Sequence, residues 1–472
     1  MKLVNTDNPV RAGWLIEQSA RLDAAPYLSG AYEARKLLER LPRTEPLQAV
    51  TRQGNGIFHA GRVSRRWVDN PEHGVPFFSS TDILEADYSF LPYIARSVVE
   101  ENPRLTIERD WTLITRSGTI GRISYARADV DGYACSEHVL RVAPRREKIL
   151  PGYLNAFLQS QYGIPIIVSQ ASGSIIQHIE PSHIADLPVP RFDPEIEERI
   201  HELIQGAADL RTGFQESMQK ATQDLFGSAG LPELADLRWP DKPRALGFPV
   251  NGISAMSLRA LNYDERAREI QESIASVANA PLGEICEKGE LERGNRFKRI
   301  EAGPGNGIPL VGQRQAFWVR PEERRIALKK SELKLVKVED ETILVAARGL
   351  LTEGALIGRA AFISKNWQKT YGFSEDFLRV RSGDPEISGA YLFAYMRSDA
   401  SFRVMRSLCA GTGPQDIHAI LRRQVPIPLC PPADRERIAN TVRSAYRDRD
   451  EADRLEDEAL RLLDEAVRDA AR

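Results

Sequence analysis

The feature that most constrains this chain is that it contains itself twice. Residues 132–200 align with 370–438 at a constant offset of 238, without a gap. Identical pairs include Tyr133/Tyr371, Ser136/Ser374, Glu137/Glu375, Leu140/Leu378, Arg141/Arg379 and Val142/Val380. They continue through Tyr153/Tyr391, Leu154/Leu392, Gly173/Gly411, Gln177/Gln415, Pro188/Pro426, Pro190/Pro428 and Glu198-Arg199-Ile200/Glu436-Arg437-Ile438. About 20 of the 69 positions are identical, where composition alone gives roughly four or five. Such self-similarity means two copies of one folding unit. Upstream the match weakens. Arg116-Ser117-Gly118-Thr119-Ile120-Gly121-Arg122 faces Arg348-Gly349 and Ile357-Gly358-Arg359, with about five extra residues between the second pair of arginines. Gly74-Val75-Pro76 faces Gly307-Ile308-Pro309. Each copy therefore has a divergent front and a matched back.

The residues predict a mixed α/β (α+β) fold. Tyr133 to Val142 reads as a strand. Pro151 to Tyr162 carries Leu154, Phe157, Leu158 and Gln161 at helical spacing. The loops Ala171-Ser172-Gly173-Ser174 and Ala410-Gly411-Thr412-Gly413-Pro414 correspond. So do the rigid exits Leu187-Pro188-Val189-Pro190 and Val425-Pro426-Ile427-Pro428, where proline removes backbone donors. Each exit leads into a long helix, at 195–225 and 434–470, with an apolar seam close to a heptad. Arg449 interrupts the second seam. Seams this long require a partner, and each helix is expected to pack antiparallel on the other. Helices are also expected over Tyr32–Leu41 and Asp264–Val277, and the Pro- and Gly-rich stretch 227–252 reads as a linker. The expected domains are 1–190, a first recognition domain; 191–227, the first long helix; 228–252, the linker; 253–428, the second recognition domain; and 429–472, the second long helix.

Charge is uneven along the chain. The net charge is −2, which implies no partner. Residues 288–337, however, hold 13 Lys/Arg against 6 Asp/Glu, and 51–68 carry Arg52, Arg62, Arg65 and Arg66 with no acid. The helix 434–472 reverses this, with 9 basic and 12 acidic residues. Basic, glycine-containing fronts suit a phosphate backbone, where each cation displaces counterions. The four cysteines lie far apart with no Cys-x-x-Cys pair, which excludes a zinc ribbon and points to buried thiols in a reducing cytoplasm. No apolar run reaches membrane-spanning length, and the first residues lack a secretory pattern, so a cytoplasmic protein without membrane association is expected.

Motifs for chemistry are missing. There is no Asp/Asn-Pro-Pro-Tyr/Phe run, no Gly-x-x-x-x-Gly-Lys-Ser/Thr loop, no Gly-x-Gly-x-x-Gly and no His-Glu-x-x-His. Glu322 with Glu332-Leu333-Lys334 mimics a nuclease set only faintly, and His138 is replaced by Asp376 in the other copy. A binding module without catalytic residues or metal site is the expectation.

In this layout the chain resembles the specificity (S) subunits of type I restriction-modification systems. The resemblance is carried by Arg116–Arg122, Tyr153-Leu154, Gly173-Ser174 with Gln177 and Ile179, and the exit Leu187–Pro190 leading into Glu198-Arg199-Ile200. The second copy supplies Ile357-Gly358-Arg359, Tyr391-Leu392, Gly411 with Gln415 and Ile417, and Pro426-Ile427-Pro428 leading into Glu436-Arg437-Ile438. The match covers 45–228 and 280–472. The chain departs from the family's frequent Glu-Gln helix entry, and its segments 1–45 and 229–280 are long.

The resemblance implies two tandem target-recognition domains joined by an antiparallel coiled coil with pseudo-twofold symmetry. Each domain would read one half of a bipartite site on double-stranded DNA, with the helices setting the spacing and docking two methyltransferase subunits. S-adenosylmethionine would sit on those partners, and a restriction/translocase subunit with ATP and Mg can join, leaving this chain without a cofactor. The other reading is a targeting or scaffold subunit of a different phage-defence complex. Within the resemblance, Arg116 and Arg348 are the first candidates for DNA contact, beside Ser117, Gly118, Thr119 and Gly349. Arg122, Arg359, Gly173, Gly411, Gln177 and Gln415 come next. Residues shared by both copies suit phosphate or structure, because the halves should differ. Base readers are therefore sought in the fronts, among Arg62, Arg65, Arg66, Arg293, Arg296 and Lys298.

Overall fold

The computed structural model describes residues 10–17, 27, 29–171, 177–243, 247, 249–250, 253, 256–322, 324–352 and 354–472. Among the described residues, eight helices of seven or more residues frame it: α1 (Ala31–Glu39), α2 (Pro151–Gln159), α3 (Gly163–Ser169), α4 (Pro194–Ser228), α5 (Glu265–Ala275), α6 (Gly389–Met396), α7 (Asp399–Ser407) and α8 (Pro432–Ala470). The chain divides into two compact units, Met1–Thr212 with Glu451–Arg472, and Gly213–Asp450. Both long helices contribute to both units. They begin at Pro194 and Pro432, again 238 apart, each proline occupying a first-turn position that needs no amide donor.

In unit 1 the first part of α4 packs antiparallel on the last part of α8. Arg199 reaches Glu458 at 3.6 Å, and Arg211 reaches Asp453 at 2.9 Å. Strands β1 (Thr44–Pro46), β2 (Ile57–Phe58), β3 (Trp67–Val68), β4 (Gly74–Phe78), β5 (Tyr93–Ala95), β6 (Thr112–Thr115), β7 (Ile123–Tyr125), β8 (Ala134–Cys135), β9 (Val139–Val142) and β10 (Pro188–Pro190) follow in order. They form sheets ordered β2-β9-β6-β7 and β3-β5-β4-β8, with β1 paired to β10. The β4–β8 pairing is parallel; the others are antiparallel. The main core joins Leu140, Tyr153, Leu154 and Phe157 to Ile200 and Leu203 of α4 and to Leu463 and Val467 of α8.

Unit 2 repeats this plan. Its strands are β11 (Asn279–Pro281), β12 (Glu290–Arg293), β13 (Ile300–Glu301), β14 (Ile308–Val311), β15 (Arg325–Ala327), β16 (Ile343–Ala346), β17 (Arg348–Gly349), β18 (Ala360–Phe362), β19 (Gly372–Phe373), β20 (Phe377–Arg381), β21 (Cys409–Ala410), β22 (Gln415–Ile417) and β23 (Pro426–Pro428). The sheets β12-β20-β16-β18 and β13-β15-β14-β19 match those of unit 1 strand for strand, including one parallel pairing, β14–β19. A further sheet, β17-β22-β21, corresponds to a lone bridge, Ser117 to His178, in unit 1. The helices again run antiparallel: Asp224 meets Arg437 at 2.5 Å and Ser228 meets Asp434 at 2.7 Å.

The duplicated back is held by duplicated contacts. The buried hydroxyl of Tyr153 donates to the Pro190 carbonyl at 2.6 Å, and that of Tyr391 to the Pro428 carbonyl at 2.8 Å. These bonds pin each Pro-x-Pro exit to the helix behind it. Arg141 is fully buried and donates to the carbonyls of Ser136, Val139 and Leu105 at 2.8–3.0 Å. Its counterpart Arg379 donates to the Leu335 carbonyl at 2.5 Å.

Several expectations need correction. Tyr133–Val142 is not one strand. Ser136–His138 turn the chain so that β8 and β9 enter different sheets, and the second copy breaks alike between β19 and β20. The helix expected to run to Tyr162 ends at Gln159, and α3 starts at Gly163. In the stretch read as a linker, Leu231 and Leu234 are buried in the core of unit 2. Arg449, read as a break in the seam, is buried there. It donates to the Trp318 carbonyl at 2.8 Å and lies 4.5 Å from the Trp367 ring centroid.

The largest correction concerns register. Arg116 and Arg348 are not equivalent. The amide of Arg116 donates to the His138 carbonyl, and the matching bond in unit 2 runs from Ala347 to Asp376. Ser117 then takes the place of Arg348, as their bridges to His178 and Asp416 confirm. Arg122 and Arg359 do correspond, because their carbonyls accept from Thr115 and Ala346.

Candidate nucleic-acid interface

The same ladder arithmetic aligns the divergent fronts. Ile57 pairs with Val142 and Leu291 with Val380, so β2 and β12 are offset by 234 residues. Trp67 pairs with Ile94, and Glu301 with Ile326, at the same offset. Across the 59–67 segment, His59 thus matches Arg293, Arg62 matches Arg296, Ser64 matches Lys298, Arg65 matches Arg299, Arg66 matches Ile300 and Trp67 matches Glu301.

One ion pair recurs in this frame. Arg65 donates to Glu137 at 2.9 Å, and Arg299 to Glu375 at 2.8 Å. Burial pushes each glutamate's pKa up. A backbone hydrogen bond and the facing arginine outweigh it, and both carboxyls sit below their usual range. The pair ties the front strand to the turn between β8 and β9, and between β19 and β20. Arg65 was sought as a base reader; its guanidinium is committed to Glu137 and lies 5.3 Å from the Phe77 ring centroid.

The other expected residues fall into three groups. Arg116 is buried and donates to the Ile179 carbonyl at 2.9 Å, to the Glu137 carbonyl at 3.3 Å and to the Glu180 carboxylate. Ser117 is buried with its Oγ 2.6 Å from His138 Nδ1. Arg293 donates to Asp416 and to the Glu375 carbonyl. Its counterpart His59 lies 3.5 Å from Glu180; burial first, then Arg116, lowers the His59 pKa. These residues hold the loops together from inside.

A second group shapes turns. Gly118 is exposed at φ 74°, and the Thr119 carbonyl accepts from the Thr115 hydroxyl. Arg122 is half-buried, its amide donating to Thr115 Oγ1 at 2.9 Å. Arg359 lies 4.6 Å from the Phe317 ring centroid. The backbone of Arg348 is bracketed by the Gln313 amide, at 2.8 and 3.3 Å. Gly349 pairs with Gln415 across the small sheet. Gly411, at φ 92°, offers its carbonyl to Arg259 at 2.8 Å. Gln177 is exposed, and Gly173 lies outside the described residues.

The third group faces solvent. Arg62, Arg66, Arg296 and Lys298 are exposed. Arg66 bonds Ser97 Oγ at 3.2 Å. Arg62, Arg296 and Lys298 make no hydrogen bond or ion pair among the described residues. Trp67, which sequence reasoning missed, is 49% exposed and set edge-on against Phe77 at 5.3 Å. Its signal was present: a bulky aromatic residue directly after Arg65 and Arg66.

Among the described residues no group of three His, Cys, Asp or Glu is placed to hold a metal. All four cysteines are free and buried, and burial pushes the Cys286 and Cys409 thiols up to about 12. No described helix is long and apolar enough to cross a membrane.

Comparison with solved structures finds 14 similar chains, three of which are described. One is a type I restriction-modification system S subunit from M. genitalium: 12% identity, TM-score 0.37, covering 91% of this chain and 95% of that one. Another is the HsdS subunit from Thermoanaerobacter tengcongensis: 15% identity, TM-score 0.27, covering 90% and 96%. The third comes from work on complex assembly and conformational transition of the type I R-M system: 15% identity, TM-score 0.27, covering 92% and 98%. No protein-family model matches the chain. No curated protein matches it.

Proposed function

We propose that this chain is a non-catalytic DNA-recognition subunit, each unit reading one half of a bipartite, asymmetric site. The observation that carries the reading is one framework built twice, with the same ion pair, beneath exposed front residues that differ. A protein that binds one repeated ligand has no need for such divergence; two different half-sites do. Arg62 and Arg296, free and shared, suit phosphate contact, which fixes register without reading sequence. Arg116, Ser117 and Arg293 position the loops rather than touch DNA. The long helices α4 and α8 would dock the partner subunits, in this reading two methyltransferases that bring S-adenosylmethionine and flip the adenine.

The test is base-resolution mapping of adenine methylation in the host with and without this gene. Loss of one split, asymmetric motif on deletion is the expected result. An unchanged methylome would instead favour a targeting subunit in a complex that does not methylate.

A further inference from the structure

We propose that Trp67 in unit 1 and its register counterpart Glu301 in unit 2 determine which base pair each unit selects on its half-site. The inference rests on the DNA-recognition reading and goes further, to the residues that discriminate.

Three observations converge on this position. First, Trp67 and Glu301 lie on β3 and β13, the edge strands of matching sheets, where one side of the strand has no neighbouring strand among the described residues. A strand in that position is able to enter a groove of the duplex. Second, Trp67 is exposed yet held. Arg65, just before β3, and Trp67 lie on one side of the chain. Both rest on Phe77, at 5.3 Å each, and Arg65 is anchored to Glu137. A half-exposed tryptophan fixed beside a pinned cation is preorganised, so little conformational freedom is lost on contact. Third, two nearby arginine positions are kept while this position, like Ser64/Lys298 and Arg66/Ile300, changes class. The pinned arginine is shared (Arg65, Arg299), and so is the free one (Arg62, Arg296), whereas tryptophan becomes glutamate.

The two side chains ask for different bases. An apolar ring edge suits the thymine methyl in the major groove, and a carboxylate accepts from the cytosine amino group. Glu301 can do so, since its side chain is 75% exposed and its ion-pair partner, Arg324 at 3.0 Å, is itself half-exposed. Unit 1 is thus expected to demand an A·T pair at one position, and unit 2 a G·C pair.

The experiment is selection from a randomised duplex DNA library by the full-length chain, isolated from its host with the subunits it carries. Wild type is expected to enrich a split motif. Trp67→Ala should lower the preference at one position of one half by about fivefold or more, leaving the other half intact. Glu301→Ala should do the same in the other half only. Trp67→Leu, which keeps an apolar contact on Phe77, guards against a folding defect and should retain part of the preference. Folded W67A and E301A that keep wild-type preferences, or weaken all sequences equally, would overturn the proposal while leaving DNA recognition standing. Failure of wild type to enrich any split motif would overturn the DNA-recognition reading itself.

Discussion

Arg65 and Glu137 form an ion pair at 2.9 Å that ties a front strand to the repeated back, and Arg299 with Glu375 forms it again. Both carboxyls are held below the ordinary value of 4.5. A folded-state pKa below the unfolded one gives stability that is present above about pH 4.5 and lost as pH falls through the folded value. The double variant Glu137→Gln/Glu375→Gln removes that dependence. Urea midpoints measured from about pH 6 down to pH 3 should fall less steeply for the variant than for wild type. Parallel curves would show that the pairs contribute nothing.

Arg211 and Arg449 occupy equivalent places, 238 residues apart, and their surroundings differ. Arg211 is buried and donates to Glu456 at 2.7 and 2.8 Å and to Asp453 at 2.9 Å. Burial works against its charge, but the two carboxylates more than reverse this and raise its pKa. Arg449 instead lies over Trp367 and donates to a carbonyl. Arg211→Ala strands two largely buried carboxylates and should cost about 3–5 kcal/mol. Adding Asp453→Asn and Glu456→Gln to it should restore much of the loss, a recovery that chemical denaturation reads directly. Arg449→Ala has no such rescue.

The two units were legible in the sequence, and the details that matter for contact were not. The 238-residue offset is visible because the back of each copy is packed core, where Tyr153/Tyr391 and the Pro-x-Pro exits tolerate little change. The fronts differ in loop length, so matching arginine to arginine put Arg116 beside Arg348, one residue out of register. The cross-strand partners His138/Asp376 and His178/Asp416 reveal the slip, and a one-residue slip sends a side chain to the opposite face. Arg449 looked like a defect in the seam because its partners, Trp318 and Trp367, lie far away in sequence. The Arg65–Glu137 pair was hidden for the same reason, although Glu137/Glu375 already stood among the identities.

Gly121 tests the loop that follows β6. Its φ is 80°, and an added Cβ would come within 2.3 Å of Val168 Cγ2. The left-handed backbone alone costs a non-glycine residue about 1–2 kcal/mol, and the clash adds to it. Gly121→Ala should therefore lower stability by about 2 kcal/mol or more, read as a lower urea midpoint at unchanged slope. Gly118→Ala, also at positive φ but with open space around its Cβ site, should cost only the backbone share. Equal effects at the two glycines would mean the Val168 contact is not a constraint.

Arg62 and Arg296 are shared, exposed and without an ion pair among the described residues, and their expected behaviour differs from that of Trp67 and Glu301. A phosphate contact releases counterions, so removing one should reduce the slope of log affinity against log salt by about 0.9 and weaken all sequences alike. Arg62→Ala and Arg296→Ala are each expected to do this in the assembled complex, with the recognised motif unchanged. Arg65→Ala should behave otherwise, because its charge is neutralised by Glu137 and its loss disturbs the strand that carries Trp67. Its main effect should fall on sequence preference. Filter-binding titrations at several salt concentrations, on matched and mismatched duplexes, separate the two. If Arg62→Ala altered the motif while leaving the salt slope intact, the division between shared phosphate contacts and divergent base contacts would be refuted.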